Sequence, residues 1–152
     1  MTAEIVSNRK AFRDFHILEK IEAGVELRGT EVKSIRAGLV QLQGSFARVE
    51  GHEMFLYDSD IQPYVRASHE QHEPKRRRRL LLHRHEIDRL TGEVEIAGKT
   101  LVPLRMYWKS GRVKVEIGLG KGKAATDKRA DLKKRVQDRE TERLLASLQK
   151  RR

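Results

Sequence analysis

A long strand is predicted over residues 15–27, where apolar and polar positions alternate. Odd positions are apolar with one interruption at Glu19, whereas even positions such as His16 and Lys20 are polar. A period of two is typical of a strand with one buried and one exposed face. Gly24 lies within this stretch, and we expect a bulge or tight bend there that lets one strand serve both halves of a small barrel.

The spacing becomes helical over residues 29–38. Val32 and Ile35 lie three positions apart and would share one face. Thr30 can cap the start of this helix, and Gly38 can adopt the left-handed conformation that ends it. The opposite face would carry Lys33 and Arg36.

Two hairpins are predicted further along. The first joins strands at residues 45–50 and 53–57, and the second joins residues 101–108 and 113–119 through a turn at 109–111. Between them, residues 67–79 are so polar and cationic that we expect a mobile loop with no buried side chain. A short helix should follow this loop, with Leu82, Ile87 and Leu90 facing the core and Gly92 ending it.

These elements predict a mainly β protein. About six strands with short connections and two or three short helices favour a closed or nearly closed antiparallel barrel, because closure leaves no long exposed edge. We assign residues 1–120 to this barrel and residues 121–152 to a basic C-terminal tail.

Charge separates the two parts further. The chain has 33 Lys+Arg and 22 Asp+Glu, a formal net charge of +11, of which the tail carries +7. Such an excess attracts polyanions, and nucleic acid is the first candidate. The tail has only a thin apolar stripe, so we expect it to be flexible when free and helical when it meets a polyanionic groove.

Other partners and compartments are less consistent with the sequence. No apolar run of about 18 residues predicts a membrane span, and the first residues lack the pattern of a secretory signal, so we expect a cytoplasmic protein without membrane contact. The absence of cysteine agrees with a reducing compartment and removes thiolate chemistry.

Catalytic or metal chemistry finds no support in the motifs. Four histidines flank a run of cations that would disfavour a divalent metal ion, and no carboxylate completes a familiar ligand set. Residues 118–123 alternate glycine with other residues but lack the spacing of a phosphate-binding loop, which favours a flexible hinge. We therefore predict no enzyme, no cofactor and no metal. The histidines concerned are His69, His72, His83 and His85.

Basic features instead predict RNA binding. The cationic loop with Arg76 and Arg78, the Lys33/Arg36 face of the first predicted helix and the tail coincide on one barrel-type protein. Aromatic residues make up only 5% of the chain, so recognition of folded RNA by shape and phosphate is favoured over extensive base stacking.

The order of motifs resembles the small protein B (SmpB) family of SsrA-binding proteins over nearly the whole chain. Two stretches are the most specific: the run from Gly29 to Gly38, and Asp127-Lys128-Arg129 after a glycine-lysine segment. Weaker matches are the residues 8–11, 78–82, 102–104, 107–109 and 114–117.

This resemblance implies an OB-fold-type barrel that binds the tRNA-like domain of tmRNA in place of an anticodon arm. It also implies that the tail enters the empty decoding centre and mRNA channel of a stalled ribosome, so that alanyl-tmRNA, carried by elongation factor Tu, is accepted and the incomplete protein is tagged for degradation. Residues that the resemblance places on the tmRNA-facing surface are Asn8, Arg9, Lys10, Glu31, Lys33 and Arg36, and those it places at the ribosome are Lys121, Lys123, Asp127, Lys128 and Arg129.

Two points stay open at this level. Glu31 would accept hydrogen bonds from base amino groups or a 2′-hydroxyl, or else only support the first turn of its helix or pair with a lysine. Ala124 and Thr126 depart from the family pattern of a second lysine and an aromatic or histidine, so base stacking from position 126 is excluded. The alternatives are a ribosomal protein or general RNA chaperone, and a tRNA-modifying enzyme.

Overall fold

The computed structural model describes residues 2–64, 71–123, 136–137 and 139–146. The chain divides into two compact units, Met1–Gly122 and Lys123–Arg152. The elements of the first unit, in chain order, are β1 (Thr2–Ser7), α1 (Arg9–Asp14), β2 (Phe15–Val25), α2 (Gly29–Arg36), β3 (Val40–Gln41), β4 (Phe46–Glu50), β5 (Glu53–Tyr57), β6 (Asp60–Ile61), β7 (Arg78–Leu81), α3 (Arg84–Ala97), β8 (Thr100–Lys109) and β9 (Arg112–Gly122).

Six antiparallel strands of the described chain form the barrel. Their pairing order is β8-β4-β5-β7-β2-β9, and β9 pairs again with β8. The β4–β8 seam consists of the single pair Ala47↔Leu101, so the barrel is not strictly closed along its length. The prediction of a mainly β, OB-fold-type barrel of about six strands is confirmed, with β1 added at the outer edge of β8 and β3 paired with β6 in a separate ribbon.

The barrel interior is filled by the alternating apolar positions that predicted the strands. The side chains of Met54, Leu56, Met106, Val115 and Ile117 have no exposed surface. Burial of each such side chain contributes roughly 1.5–3 kcal/mol to folding. A second, smaller cluster of Ala11, Val102 and Leu104 fixes α1 on the outside of β8.

Gly24 has a different role from the one predicted. The irregularity in the pairing of β2 with β9 lies between Ile17 and Glu19, and Gly24 itself pairs regularly with both Leu81 and Lys114. The expectation of a bulge at Gly24 was therefore wrong. The long strand itself is observed as Phe15–Val25, and it pairs with β9 along most of its length and with β7 at its end.

Two other boundaries differ from the prediction. Helix α3 continues through Gly92 to Ala97. Its C-cap residue is Gly98, which adopts the left-handed conformation with a φ of 66°. Strand β9 continues to Gly122, so residues 118–122 are extended and paired and do not form a hinge. In the second unit, residues 136–137 and 139–146 are helical, and the flexibility of the free tail remains a prediction.

Close packing against Leu104 explains why position 118 in β9 is a glycine, and this can be tested. A Cβ at Gly118 would lie 2.9–3.0 Å from three side-chain atoms of the buried Leu104. We expect Gly118→Ala to lower the free energy of unfolding by about 1–3 kcal/mol, because Leu104 has no room to move within the packed core. Gly122→Ala is the control on the same strand, since nothing lies within 4 Å of its Cβ. Equal urea midpoints for the two variants would show that the packing at Gly118 is not tight.

Candidate RNA-binding surface

Helix α2 begins above a buried carboxylate. Glu31 has no exposed surface, and its Oε1 atom accepts a hydrogen bond of 2.7 Å from the backbone N–H of Arg28, the residue that precedes the helix. Arg28, and not Thr30, is therefore the N-cap position. The Thr30 hydroxyl instead forms a hydrogen bond of 2.9 Å with Nδ1 of His72.

Arg78 lies beside this carboxylate and is also fully buried. Its Nε donates to Oε2 of Glu31 at 2.5 Å, and its Nη1 donates to both the backbone oxygen and Oγ of Ser59 at 2.9 Å. Its Nη2 donates to the carbonyl oxygens of Glu73 and Pro74 at 3.3 and 3.0 Å. All three guanidinium nitrogens are thus bonded, as a buried cation requires.

Two more side chains complete this cluster. Arg76 Nη2 donates to Oε1 of Glu31 at 2.6 Å, and His72 Nε2 donates to the carbonyl of Ile61 at 2.8 Å. Because a carbonyl oxygen can only accept, the Nε2 atom of His72 carries a proton. The cluster of His72, Glu31, Arg76 and Arg78, called here the α2 anchor, fixes the segment before β7 beneath helix α2.

Glu31 and Arg78 form an ionised pair at neutral pH. Burial raises the pKa of the Glu31 carboxyl, but hydrogen bonds from Arg76, the Arg28 N–H and Arg78, together with the charge of Arg78, outweigh burial and hold this pKa below its usual value. Burial lowers the pKa of Arg78, yet an arginine starts so high that it stays cationic. The ionised pair therefore persists across physiological pH.

The α2 anchor corrects part of the sequence prediction. Arg78 lies in β7, where the period of two turns Arg78 and Leu80 inward, and so a loop with no buried side chain was wrong. Neither Glu31 nor Arg78 has exposed surface, and both side chains pack inside the fold. Their predicted contact with RNA stays a prediction. Of the alternatives for Glu31, support of the first helical turn is the one observed, with arginines as the ionic partners.

Asn8 has a similar structural role. It is 4% exposed; its Nδ2 donates to the carbonyl of Pro103 at 2.9 Å, and its Oδ1 accepts from the N–H of Ala11 at 3.3 Å, which caps α1. Its side chain is thus also unavailable for the predicted RNA contact. The neighbouring Arg9 and Lys10 are exposed on the first turn of α1, as an RNA-facing role requires.

Helix α2 presents its two predicted cations to solvent. Lys33 and Arg36 are both exposed. The Lys33 ammonium lies 5.7 Å from the centre of the Tyr64 ring, and the Arg36 guanidinium lies 5.8 Å from that of Trp108. Each cation is held against an aromatic face while its charge stays accessible, an arrangement worth about 0.5–1 kcal/mol at exposed sites.

A concave surface that sequence reasoning missed runs beside the end of β2. A groove of about 640 Å³ and a second of about 460 Å³ share Gly24, Leu81 and Lys114 in their walls. Leu81 is 47% exposed there, and Trp108 lies in the second groove. The alternation in β9 had already placed Lys114 on the outward face, but the partners that make the surface concave come from other strands. We call these two grooves together the β2 groove.

Glu22, an exposed and ionised carboxylate, also lines the β2 groove. Glu22 accepts hydrogen bonds from the Tyr107 hydroxyl at 2.5 Å and from the Lys109 ammonium at 3.1 Å. The hydrogen bond from Tyr107 is the main cause that lowers the pKa of Glu22, and the hydrogen bond from Lys109 lowers it further. Outward cations therefore surround a fixed acceptor, and such a combination can distinguish base amino groups from phosphate.

The tail residues are described only in part. Lys121 is exposed within strand β9, opposite His16, and Lys123 follows that strand. Asp127, Lys128 and Arg129 lie outside the described residues, as do Ala124 and Thr126.

The described residues also bear on metal and membrane. Among them, no group of three or more His, Cys, Asp or Glu could hold a metal ion, while His69 lies outside this part of the chain. The rings of His83 and His85 stack on each other, with 5.6 Å between the ring centres. No helix in the described ranges is long and apolar enough to cross a membrane.

Comparisons with known proteins extend over nearly the whole chain. The family model described as SmpB protein matches residues 5–147. The SsrA-binding protein of Carboxydothermus hydrogenoformans is 53% identical over 141 residues, which cover 93% of this chain and 95% of that protein. The SsrA-binding protein of Syntrophobacter fumaroxidans is 50% identical over 143 residues, 94% of this chain and 89% of that protein.

A solved structure agrees with these sequence matches. A chain from the structure described as "tmRNA-SmpB: a journey to the center of the bacterial ribosome" superposes with a TM-score of 0.68 and is 49% identical, covering 84% of this chain and 93% of that one. The fold and the sequence therefore lead to the same conclusion: this chain belongs to the SmpB family.

Proposed function

We propose that this protein binds the tRNA-like domain of tmRNA and delivers it to stalled ribosomes for trans-translation. The observation that carries the proposal is the identity of 53% to an SsrA-binding protein over 93% of the chain. In this role the barrel substitutes for an anticodon arm, and alanyl-tmRNA arrives with elongation factor Tu. The protein acts in the cytoplasm by binding alone, without catalysis, cofactor or metal.

The barrel surface that takes the RNA is the β2 groove together with the outer face of α2. Lys114 and Arg84 in the groove, with Lys33 and Arg36 on α2, supply cations for phosphate contacts. The exposed Leu81 and the half-buried Trp108 add apolar surface, which suits the bases of an RNA loop more than the backbone of a duplex. Because tmRNA has a folded tRNA-like domain, a concave surface with cations at its rim fits it by shape.

Two further groups of residues take part in the proposed function, one in contacts with the tRNA-like domain and one in contacts with the ribosome. Arg9 and Lys10 lie on α1, attached to β8, and add phosphate contacts on the barrel. The tail contributes the ribosomal contacts, in the decoding centre and mRNA channel. Its proposed contact residues are Lys121, Lys123, Asp127, Lys128 and Arg129.

Competition between tmRNA and bulk tRNA tests the proposal. With full-length protein, labelled tmRNA and increasing salt, we expect absolute affinity to fall steeply, because phosphate contacts release counterions. The preference for tmRNA should persist or grow as the non-specific contribution fades. A preference that disappears with salt would contradict the proposal and would favour a general RNA chaperone.

A further inference from the structure

The outer face of the β4–β5 hairpin gathers aromatic and arginine side chains. Pairing places Phe46 opposite Tyr57 and Arg48 opposite Phe55, and the period of two turns all four away from the buried Leu56. The chain has eight Phe, Tyr and Trp residues in all, and three of them lie on this hairpin. A low overall aromatic content therefore conceals a local concentration.

Arg77 lies directly on one of these rings. Its guanidinium carbon is 4.0 Å from the centre of the Phe55 ring, and its side chain is still 49% exposed. Nη1 of Arg77 donates to Oε2 of Glu50 at 2.7 Å, and the Tyr57 hydroxyl donates to Oε1 of the same carboxylate. The guanidinium is thus held in one orientation by a ring below and a carboxylate at its edge.

Such an arrangement selects a flat, uncharged ligand. A guanidinium plane stacked on an aromatic ring offers its outer face to a nucleobase, and every base has a π-face that can use it. Glu50 neutralises the charge of Arg77 at its edge, which makes a phosphate a poor ligand at this position. Arg48, exposed opposite Phe55 on the neighbouring strand, can instead contact the phosphate next to a stacked base.

We infer that Arg77, stacked on Phe55, is a binding site for one unpaired RNA base. The rings of Phe46 and Tyr57 lie on the same face of the hairpin and stack on each other, with 5.3 Å between their centres and an interplanar angle of 9°. This pair can bind a second base by stacking. This site goes beyond the proposed function, since it concerns unpaired nucleotides and does not depend on which RNA supplies them. It requires stacking at one or two positions, not along an extended strand.

The test compares Arg77→Lys with the unchanged full-length protein. Fluorescence anisotropy would measure binding of labelled oligoadenosine and oligouridine of about ten nucleotides. We expect the variant to bind oligoadenosine about tenfold more weakly, as loss of one stacked base predicts. The preference for adenosine over uridine should shrink as well. The slope of affinity against salt should not change, because lysine keeps the charge.

Arg89→Lys is the matched control. Arg89 is 48% exposed, close to the 49% of Arg77, and it also pairs with a carboxylate, through two hydrogen bonds of 2.8 and 2.9 Å to Glu19. It should change neither affinity nor base preference. If Arg77→Lys lowered the thermal midpoint, Phe55→Leu would decide instead, with the same expected loss. Equal binding by Arg77→Lys and Arg89→Lys, or by Phe55→Leu and the unchanged protein, would overturn the inference, whatever the outcome of the tmRNA competition.

Discussion

Replacing Arg78 with alanine is expected to lower the free energy of unfolding by about 3–5 kcal/mol, the range seen when one partner of a buried ion pair is removed. The change leaves the Glu31 carboxylate in the interior with its 2.5 Å partner gone. It also removes the Nη1 donor that now satisfies both the carbonyl and the hydroxyl oxygen of Ser59. Urea unfolding of the full-length protein, followed by circular dichroism, measures the loss.

Arg79→Ala is the control for this prediction. Arg79 is the next residue on β7 but points outward; its side chain is 48% exposed, and its nearest carboxylate contacts, to Glu53 and Glu26, are 3.6 and 3.9 Å long. Exposed pairs contribute about 0–1 kcal/mol, so the control should unfold close to the unchanged protein. Similar losses for the two variants would show that the α2 anchor does not stabilise the fold through a buried charge.

The α2 anchor also connects stability with function. The Glu31 carboxylate fixes the first turn of α2, whose outer face carries Lys33 and Arg36. These two cations act in the proposed RNA contact, although Glu31 itself is shielded from solvent. Glu31 can therefore support RNA binding by positioning helix α2, without touching RNA itself.

Five of the six barrel strands could be predicted from their apolar patterns and turn signals. Strand β7 was missed, because its four residues begin inside the run of five cations. The period of two is visible along residues 15–27 for β2 and along residues 113–119 for β9. The hairpin turn between β8 and β9 has its own sequence signal, Ser110-Gly111, and both residues adopt a positive φ. Strand β1 was missed because it lies at an outer edge and no residue in it is fully buried. Helix α1 was missed because six residues are too few to show helical periodicity.

The side chains of the α2 anchor could not have been placed from the sequence. Five consecutive cations at residues 75–79 indicate an exposed segment, because isolated buried charge is costly. The partners that make burial of Arg78 possible are Glu31, 47 positions away, and Ser59, 19 positions away. Without tertiary contacts, a buried arginine and an exposed arginine in one run are indistinguishable.

The β2 groove illustrates the same limit for the functional surface. Its shared wall combines Gly24 of β2, Leu81 of β7 and Lys114 of β9, which are far apart along the chain and adjacent only through strand pairing. Outward cations such as Lys114 were recognisable from alternation, whereas the concavity between them was not. Exposed cations on helices, such as Lys33 and Arg36, need no partner to be recognised and were predicted correctly as exposed.

Removal of residues 124–152 is expected to separate the two proposed activities. Affinity for the tRNA-like domain of tmRNA should stay within about threefold of the full-length value, because the tail adds only salt-sensitive phosphate contacts there. Tagging of nascent chains on stalled ribosomes should fall by about a hundredfold or more, since a linked second binding segment typically contributes at least that much. The cut belongs after Lys123, because Lys121 and Gly122 still pair with His16 and Phe15 in the barrel.

Lys114→Glu in the full-length chain is the complementary variant. It reverses the charge at the β2 groove and leaves the tail intact, so it should weaken tmRNA binding more than truncation does. Filter binding measures the first effect, and a reconstituted translation reaction measures tagging with saturating tmRNA. If the truncated barrel kept its thermal midpoint yet lost tmRNA binding, the cations of residues 124–152 would belong to the tmRNA site itself. The division between a folded RNA-binding barrel and a ribosome-binding tail would then be wrong.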